Sequence, residues 1–137
     1  MMPMVEKAVI DAQVLFYFHY NYKKVPLILR ELKQKVINGE ITVIIPIIAI
    51  SELLWKMRKN GKASAVKNAI KRWEESENVI IDNFDLETLK LMLKNTESNE
   101  LHDEIIAMTC KKYATDIIYA TDKKFEEIFH LTLRSWK

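Results

Sequence analysis

The chain has 137 residues, 21 of them basic and 19 acidic, for a formal net charge of +2. Hydrophobic residues make up 49% and charged residues 29% of it, with only two Gly and three Pro. That balance fits one globular domain over residues 1–137 with a real core, and it excludes a disordered chain, a low-complexity tract or a long flexible linker.

In chain order, a β-branched run at Ala8–Ile10 predicts a first strand. A dense aromatic segment follows, with Phe16, Tyr17, Phe18, Tyr20 and Tyr22. Pro26 to Ile37 reads as a helix closed by the turn signal Asn38-Gly39. Ile41–Ile45 is a second strand, and Pro46 to Arg58 a helix ended near Asn60-Gly61. Ser64 to Glu75 is the next helix, with Ala65, Ala69, Ile70 and Trp73 on one side. Val79–Ile81 is a third strand, and Asp85 is placed to cap a helix running to about Lys94. Leu101 to Tyr113 is the last long helix, before strands at Ile117–Tyr119 and, more weakly, Leu131–Arg134. Strands that are apolar almost throughout are covered on both faces. The alternation therefore predicts an α/β fold, with a mostly parallel sheet of four or five strands and helices on both faces.

Cys110 is the only cysteine, so an internal disulfide is excluded and no zinc-ligand spacing exists. A reducing cytoplasm is the expected setting. Met1 to Lys7 has no secretory pattern, and the apolar run Ile44–Ile50, broken by Pro46, is too short to span a bilayer. No membrane association is expected. The small net charge neither requires nor excludes a nucleic-acid partner, since distribution matters more than the total.

In open α/β sheets, ligands bind beyond the carboxyl ends of the strands. Three carboxylates stand there: Asp11 after Val9-Ile10, Asp82 after Ile80-Ile81, and Asp122 after Tyr119-Ala120-Thr121. Each is equally explained, taken alone, as a turn former or helix cap. Together they would repel one another unless a cation joins them, and hard oxygen ligands select Mg²⁺ or Mn²⁺. No glycine-rich phosphate loop is present. Asp103 heads a helical stripe of Ile106, Ala107, Cys110 and Ala114, which would partly bury its carboxylate. The alternative is a first-turn acid favoured by the helix dipole, with Ser98 or Asn99 as the cap. Glu52 lies off the apolar face of its helix, and helical spacing makes an ordinary surface pair with Lys56 the simple explanation. His19, His102 and His130 share no motif, although His102 adjoins Asp103.

Four segments in order give the sequence a family likeness: Val9-Ile10-Asp11-Ala12, Ile50-Ser51-Glu52-Leu53-Leu54, Leu101-His102-Asp103-Glu104-Ile105-Ile106-Ala107 and Thr121-Asp122-Lys123-Lys124-Phe125. The chain resembles a PIN domain of the kind found in VapC-type toxins of toxin–antitoxin pairs. The resemblance implies that Asp11, Glu52, Asp103 and Asp122 bind Mg²⁺ or Mn²⁺ and cut single-stranded RNA, leaving a 5′-phosphate. It also implies a homodimer and a cognate antitoxin whose tail enters the acidic groove. It gives Glu52 a role that helical spacing does not, and it leaves Asp82 on an edge strand outside the site. Many relatives carry Thr or Ser where Ala120 stands, and Thr121 is one residue displaced. Lys23, Lys24, Lys123 and Lys124 are candidates for phosphate contacts, with plain solvated surface as the alternative. The aromatic segment is either the wall of a dimer or antitoxin interface, or the completion of a monomer's core. Competing functions are housekeeping RNA processing, a PIN-like module that binds without cutting, and a flavodoxin-like signalling domain.

Overall fold

The computed structural model describes residues 5–20, 22–95 and 100–136. The first four residues of the N-terminal segment, as well as Ser98 and Asn99, fall outside them. Five strands form one sheet: β1 (Glu6–Ile10), β2 (Ile41–Pro46), β3 (Val79–Asp82), β4 (Ile117–Tyr119) and β5 (Thr132–Arg134). Their order across the sheet is β3-β2-β1-β4-β5, and every pairing is parallel. Seven α-helices connect them among the described residues: α1 (Ala12–His19), α2 (Leu27–Ile37), α3 (Ile47–Lys59), α4 (Ala63–Glu75), α5 (Leu86–Lys94), α6 (Leu101–Lys112) and the single turn α7 (Lys124–Glu127).

Strand alternation sorts the core into two layers. Ala8 and Ile10 of β1 face one side with Val43 and Ile45 of β2, under α1, α2, α3 and α4. Val9 and Ile44, which are register partners, face the other side with Ile118, under α6 and the Phe125–Leu131 segment. The centre of the sheet is thus dry on both faces, which is why its strands read as unbroken apolar runs. Cys110 is a free, fully buried thiol in the second layer, and burial pushes its pKa up to about 12. Among the described residues no helix is long and apolar enough to cross a membrane.

Helix ends account for most of the detail. Asp85 caps α5 by accepting the Thr88 N–H at 3.1 Å, as its sequence position predicts. Glu100 caps α6, accepting the Asp103 N–H at 3.1 Å, in place of the Ser98 or Asn99 cap expected from sequence. The stripe headed by Asp103 ends at Cys110. Ala114 lies beyond the helix, exposed, with a left-handed backbone at φ 54.

Asp82 is the third strand-end carboxylate, and it does structural work. It is buried at the end of edge strand β3, where it accepts Lys112 Nζ at 2.7 Å and the Tyr113 hydroxyl at 2.8 Å. Lys112 also reaches Asp85 at 2.8 Å. This network fastens the C-terminal end of α6 to the sheet edge, at the opposite end of the helix from Asp103.

Candidate active site

The strand order doubles back between β1 and β4: β2 and β3 lie on one side and β5 on the other. A crevice at such a point is the usual ligand position of open parallel sheets. Asp11 leaves β1 there and Asp122 follows β4. The Asp11 N–H donates to the Tyr119 carbonyl at 3.1 Å, tying the two strand ends together.

A cleft of about 990 Å³ opens at this point. Asp11, Glu52, Asp103 and Asp122 all line it. Four separate elements deliver them: the β1–α1 junction, α3, the first turn of α6, and the β4–α7 loop. Asp11 and Asp122 also do what strand-end acids commonly do. Asp11 is the N-cap of α1, its Oδ1 accepting the Ala12 N–H at 2.7 Å. Asp122 Oδ1 accepts the Lys124 N–H at 2.9 Å. Capping and cleft lining are therefore not alternatives here; the cap holds the carboxylate in place.

The electrostatics show the strain of the cluster. Burial drives the Asp11 carboxyl up to about 6; the Ala12 hydrogen bond opposes this, while the charges of Glu52, Asp103 and Asp122 add to it. Asp103 is raised too, first by burial and then by Asp122 and Glu100, with Lys124 pulling the other way. Burial also works against ionised Glu100. It nevertheless titrates below its usual range, because the His102 and Asp103 N–H groups and the charges of His102 and Lys124 favour the carboxylate.

Glu52 does not pair with Lys56, as helical spacing predicts. Its Oε1 lies 2.9 Å from His102 Nδ1, on α6. Lys56 instead sits over two rings of α1 and its end, 4.6 Å from the Phe16 centroid and 5.4 Å from that of Tyr20. Ala120 is fully buried, so no side chain there reaches the cleft. The Thr121 hydroxyl meets Gln13 Oε1, and Gln13 does line the cleft.

Sequence reasoning missed Glu100, Gln13, Trp55 and Lys59, which share the cleft. Trp55 and Lys59 were legible in principle, since they follow Glu52 at offsets of three and seven on one helix face. Lys23, Lys24, Lys123 and Lys124 do not line the cleft, although Lys124 acts on Asp103 by its charge. Of the aromatic segment, Phe16, Tyr17, Phe18 and Tyr20 are half-buried against the first core layer, and Tyr17 packs edge-on to Trp136 at 5.8 Å. Tyr22 alone of the five is left in solvent, 67% exposed.

The PIN domain family model matches residues 8–130. The chain belongs to the PIN family. No curated protein sequence matches this PIN domain closely. Among solved structures it is similar to VapBC2 of Rickettsia felis, described as bound to a promoter DNA fragment, at 17% identity and a TM-score of 0.67, covering 96% of this chain and 99% of that one. It is also similar to VapBC-1 of nontypeable Haemophilus influenzae, at 19% identity and a TM-score of 0.64, covering 95% and 98%. A third is FitAcB of Neisseria gonorrhoeae, at 13% identity and 0.62, covering 92% and 95%. At these identities the likeness is one of fold.

The donor set of this PIN domain suits a hard divalent cation in kind: carboxylate oxygens on four elements, two of them with pKa values raised first by burial and then by the neighbouring carboxylates. Among the described residues, no three of the Asp, Glu, His and Cys side chains are drawn together around one point.

Proposed function

We propose that this PIN domain is a divalent-metal-dependent endoribonuclease that cuts single-stranded RNA, and that it is the toxin of a toxin–antitoxin pair acting in the cytoplasm. Membership of the PIN family supports a hydrolase acting on nucleic acid. The observation that carries the catalytic part is the gathering of Asp11, Glu52, Asp103 and Asp122 on one cleft, with Asp11 pushed up to about 6. A site for a neutral or anionic partner has no use for carboxylates that oppose one another's ionisation.

Mg²⁺ or Mn²⁺, when bound, supplies Lewis acidity toward the phosphodiester and a more acidic water. The protein's part is to hold and orient. Asp11 and Asp103 would be the principal ligands, one fixed by its own cap and the other by its place in the first turn of α6. Asp122, held by the Lys124 N–H, and Glu52, held by His102, complete the oxygen set or orient the attacking water. Lys124 lies near enough for its charge to be felt at Asp103, and so it offsets part of the charge a phosphate would meet.

The toxin assignment and the antitoxin partner draw on relatives of the same fold that are described as toxin–antitoxin complexes. The homodimer rests on family likeness and on the exposed Tyr22 beside α2. Incubation with single-stranded RNA tests the function. The expected result is internal cleavage leaving 5′-phosphate ends, abolished by chelation and restored by Mg²⁺ or Mn²⁺. Cleavage that survives chelation, or none with either metal, overturns it. Sedimentation at micromolar concentration tests the dimer, and a strictly monomeric chain removes it.

A further inference from the structure

α3 carries two stripes. Ala49, Ile50, Leu53 and Met57 form the buried one. The other forms a wall of the cleft, from Glu52 through Trp55 and Lys56 to Lys59 and Asn60. These positions recur at offsets of three and four, so they share one face. The wall begins among the acids and ends in the basic last turn of the helix, which holds Lys56, Arg58 and Lys59. At 1.5 Å per residue, Lys59 lies about 10 Å along the axis from Glu52, room for roughly three nucleotides stacked at 3.4 Å.

Trp55 is the unusual member. Its side of α3 is not the core side, and it stays 61% exposed. Lys59 Nζ lies over its ring, 3.4 Å from the centroid. An indole presented in a cleft, flanked by cations, is the combination by which proteins hold single-stranded nucleic acid: a π-face for a base and ammonium groups for the adjoining phosphates. The charge pattern selects among occupants. A basic peptide would match the acidic floor alone, not the wall that carries Lys56 and Lys59. A strand with flat bases and an anionic backbone suits the wall, and it meets the floor through cations.

The geometry points to Trp55 as the stacking platform for a base of single-stranded RNA beside the scissile phosphate, with Lys59 turning from the indole to a backbone phosphate and Lys56 lying next along the strand. This assignment rests on the nuclease reading above and gives its substrate a direction, from the acids out along α3.

The test uses a short fluorescein-labelled single-stranded RNA of mixed sequence. Binding is measured in the Asp11→Asn background, and cleavage with the wild-type acids. Trp55→Ala should weaken binding roughly 5- to 150-fold, and Trp55→Phe should keep most of it. Lys59→Gln should flatten the dependence of log K on log salt by about 0.7. With the acids intact, Trp55→Ala should raise KM and leave kcat nearly unchanged. Cleavage by the wild type, with Trp55→Ala matching it in binding and KM, overturns the platform alone. Binding that depends on Trp55 while the wild type fails to cut removes the nuclease reading and keeps the platform. Normal RNA binding by Trp55→Ala, with loss of a co-expressed protein partner, also overturns the platform and makes the wall a protein interface.

Discussion

Glu52 and His102 lie fifty residues apart in sequence and meet across the cleft, with Nδ1 2.9 Å from Oε1. A carboxylate only accepts, so Nδ1 carries the proton and donates. His102 therefore fixes the orientation of Glu52 from a different helix. His102 is exposed and Glu52 about a third exposed, so the contact adds less than about 1 kcal/mol to the fold. His102→Ala should leave the melting temperature nearly unchanged and lower activity or metal affinity by about 10- to 100-fold, the usual cost of losing a group that orients a ligand. Parallel melting curves and metal-dependent cleavage rates check this. A large drop in melting temperature would make the pair structural.

Asp11 gives the fold a pH signature. Its carboxyl titrates near 6 in the folded chain and near 3.8 ordinarily. A raised pKa means the folded state holds the proton more tightly. Its contribution to stability is thus fully present below about pH 4 and is lost as pH rises through about 6. Without metal, Asp11→Asn should be as stable as wild type in acid. It should become progressively more stable than wild type above that window, by up to about 3 kcal/mol at neutral pH. Melting both proteins in chelator across that range measures it. A variant less stable than wild type at neutral pH would mean the cap to Ala12 outweighs the burial and repulsion of the charge.

Divalent metal should reverse that order. Mg²⁺ or Mn²⁺ at a hundred times its dissociation constant stabilises a protein that binds only when folded by about 2.7 kcal/mol. Wild type should gain this, and Asp11→Asn very little. Binding should also weaken below about pH 6, where protons compete for Asp11. Equal stabilisation of both proteins would place the ion elsewhere.

Asp82 is the control for the whole cluster. It sits at a strand end like Asp11 and Asp122, yet it is buried against Lys112 and Tyr113. Removing one partner of a buried pair leaves the other charge stranded, at a cost of about 3–5 kcal/mol. Lys112 keeps Asp85, so Asp82→Ala should fall at the lower end of that range. Cleavage at a temperature where the variant remains folded should be close to wild type. Chemical denaturation followed by activity assays checks both halves.

The contrast between Asp82 and Glu52 shows what was legible in the sequence. The strands, most helices and the Asp85 cap follow from local pattern, because apolar periodicity and cap chemistry act within a few residues. Asp82 and Asp11 look alike from within the chain; what separates them is sheet order, edge against centre, which is decided by pairing with distant strands. Glu52 is the reverse case. A helical wheel offers Lys56 as its partner, but α6 brings His102 to it, while Phe16 and Tyr20 of the α1 region take Lys56. Whether the aromatic segment is an interface wall or part of the core is likewise not readable locally, because a partner such as Trp136, which packs edge-on to Tyr17, comes from far along the chain. Family likeness supplied Glu52 where local physics could not.

Direct titration with Mn²⁺, followed by electron paramagnetic resonance of the free ion, tests most directly whether the four acids act as one metal site. Wild type and Asp82→Asn should bind the ion alike, and Asp11→Asn and Asp103→Asn should each weaken it at least tenfold. Undiminished binding in Asp11→Asn or Asp103→Asn, or binding lost in Asp82→Asn while that variant remains folded, would contradict the account.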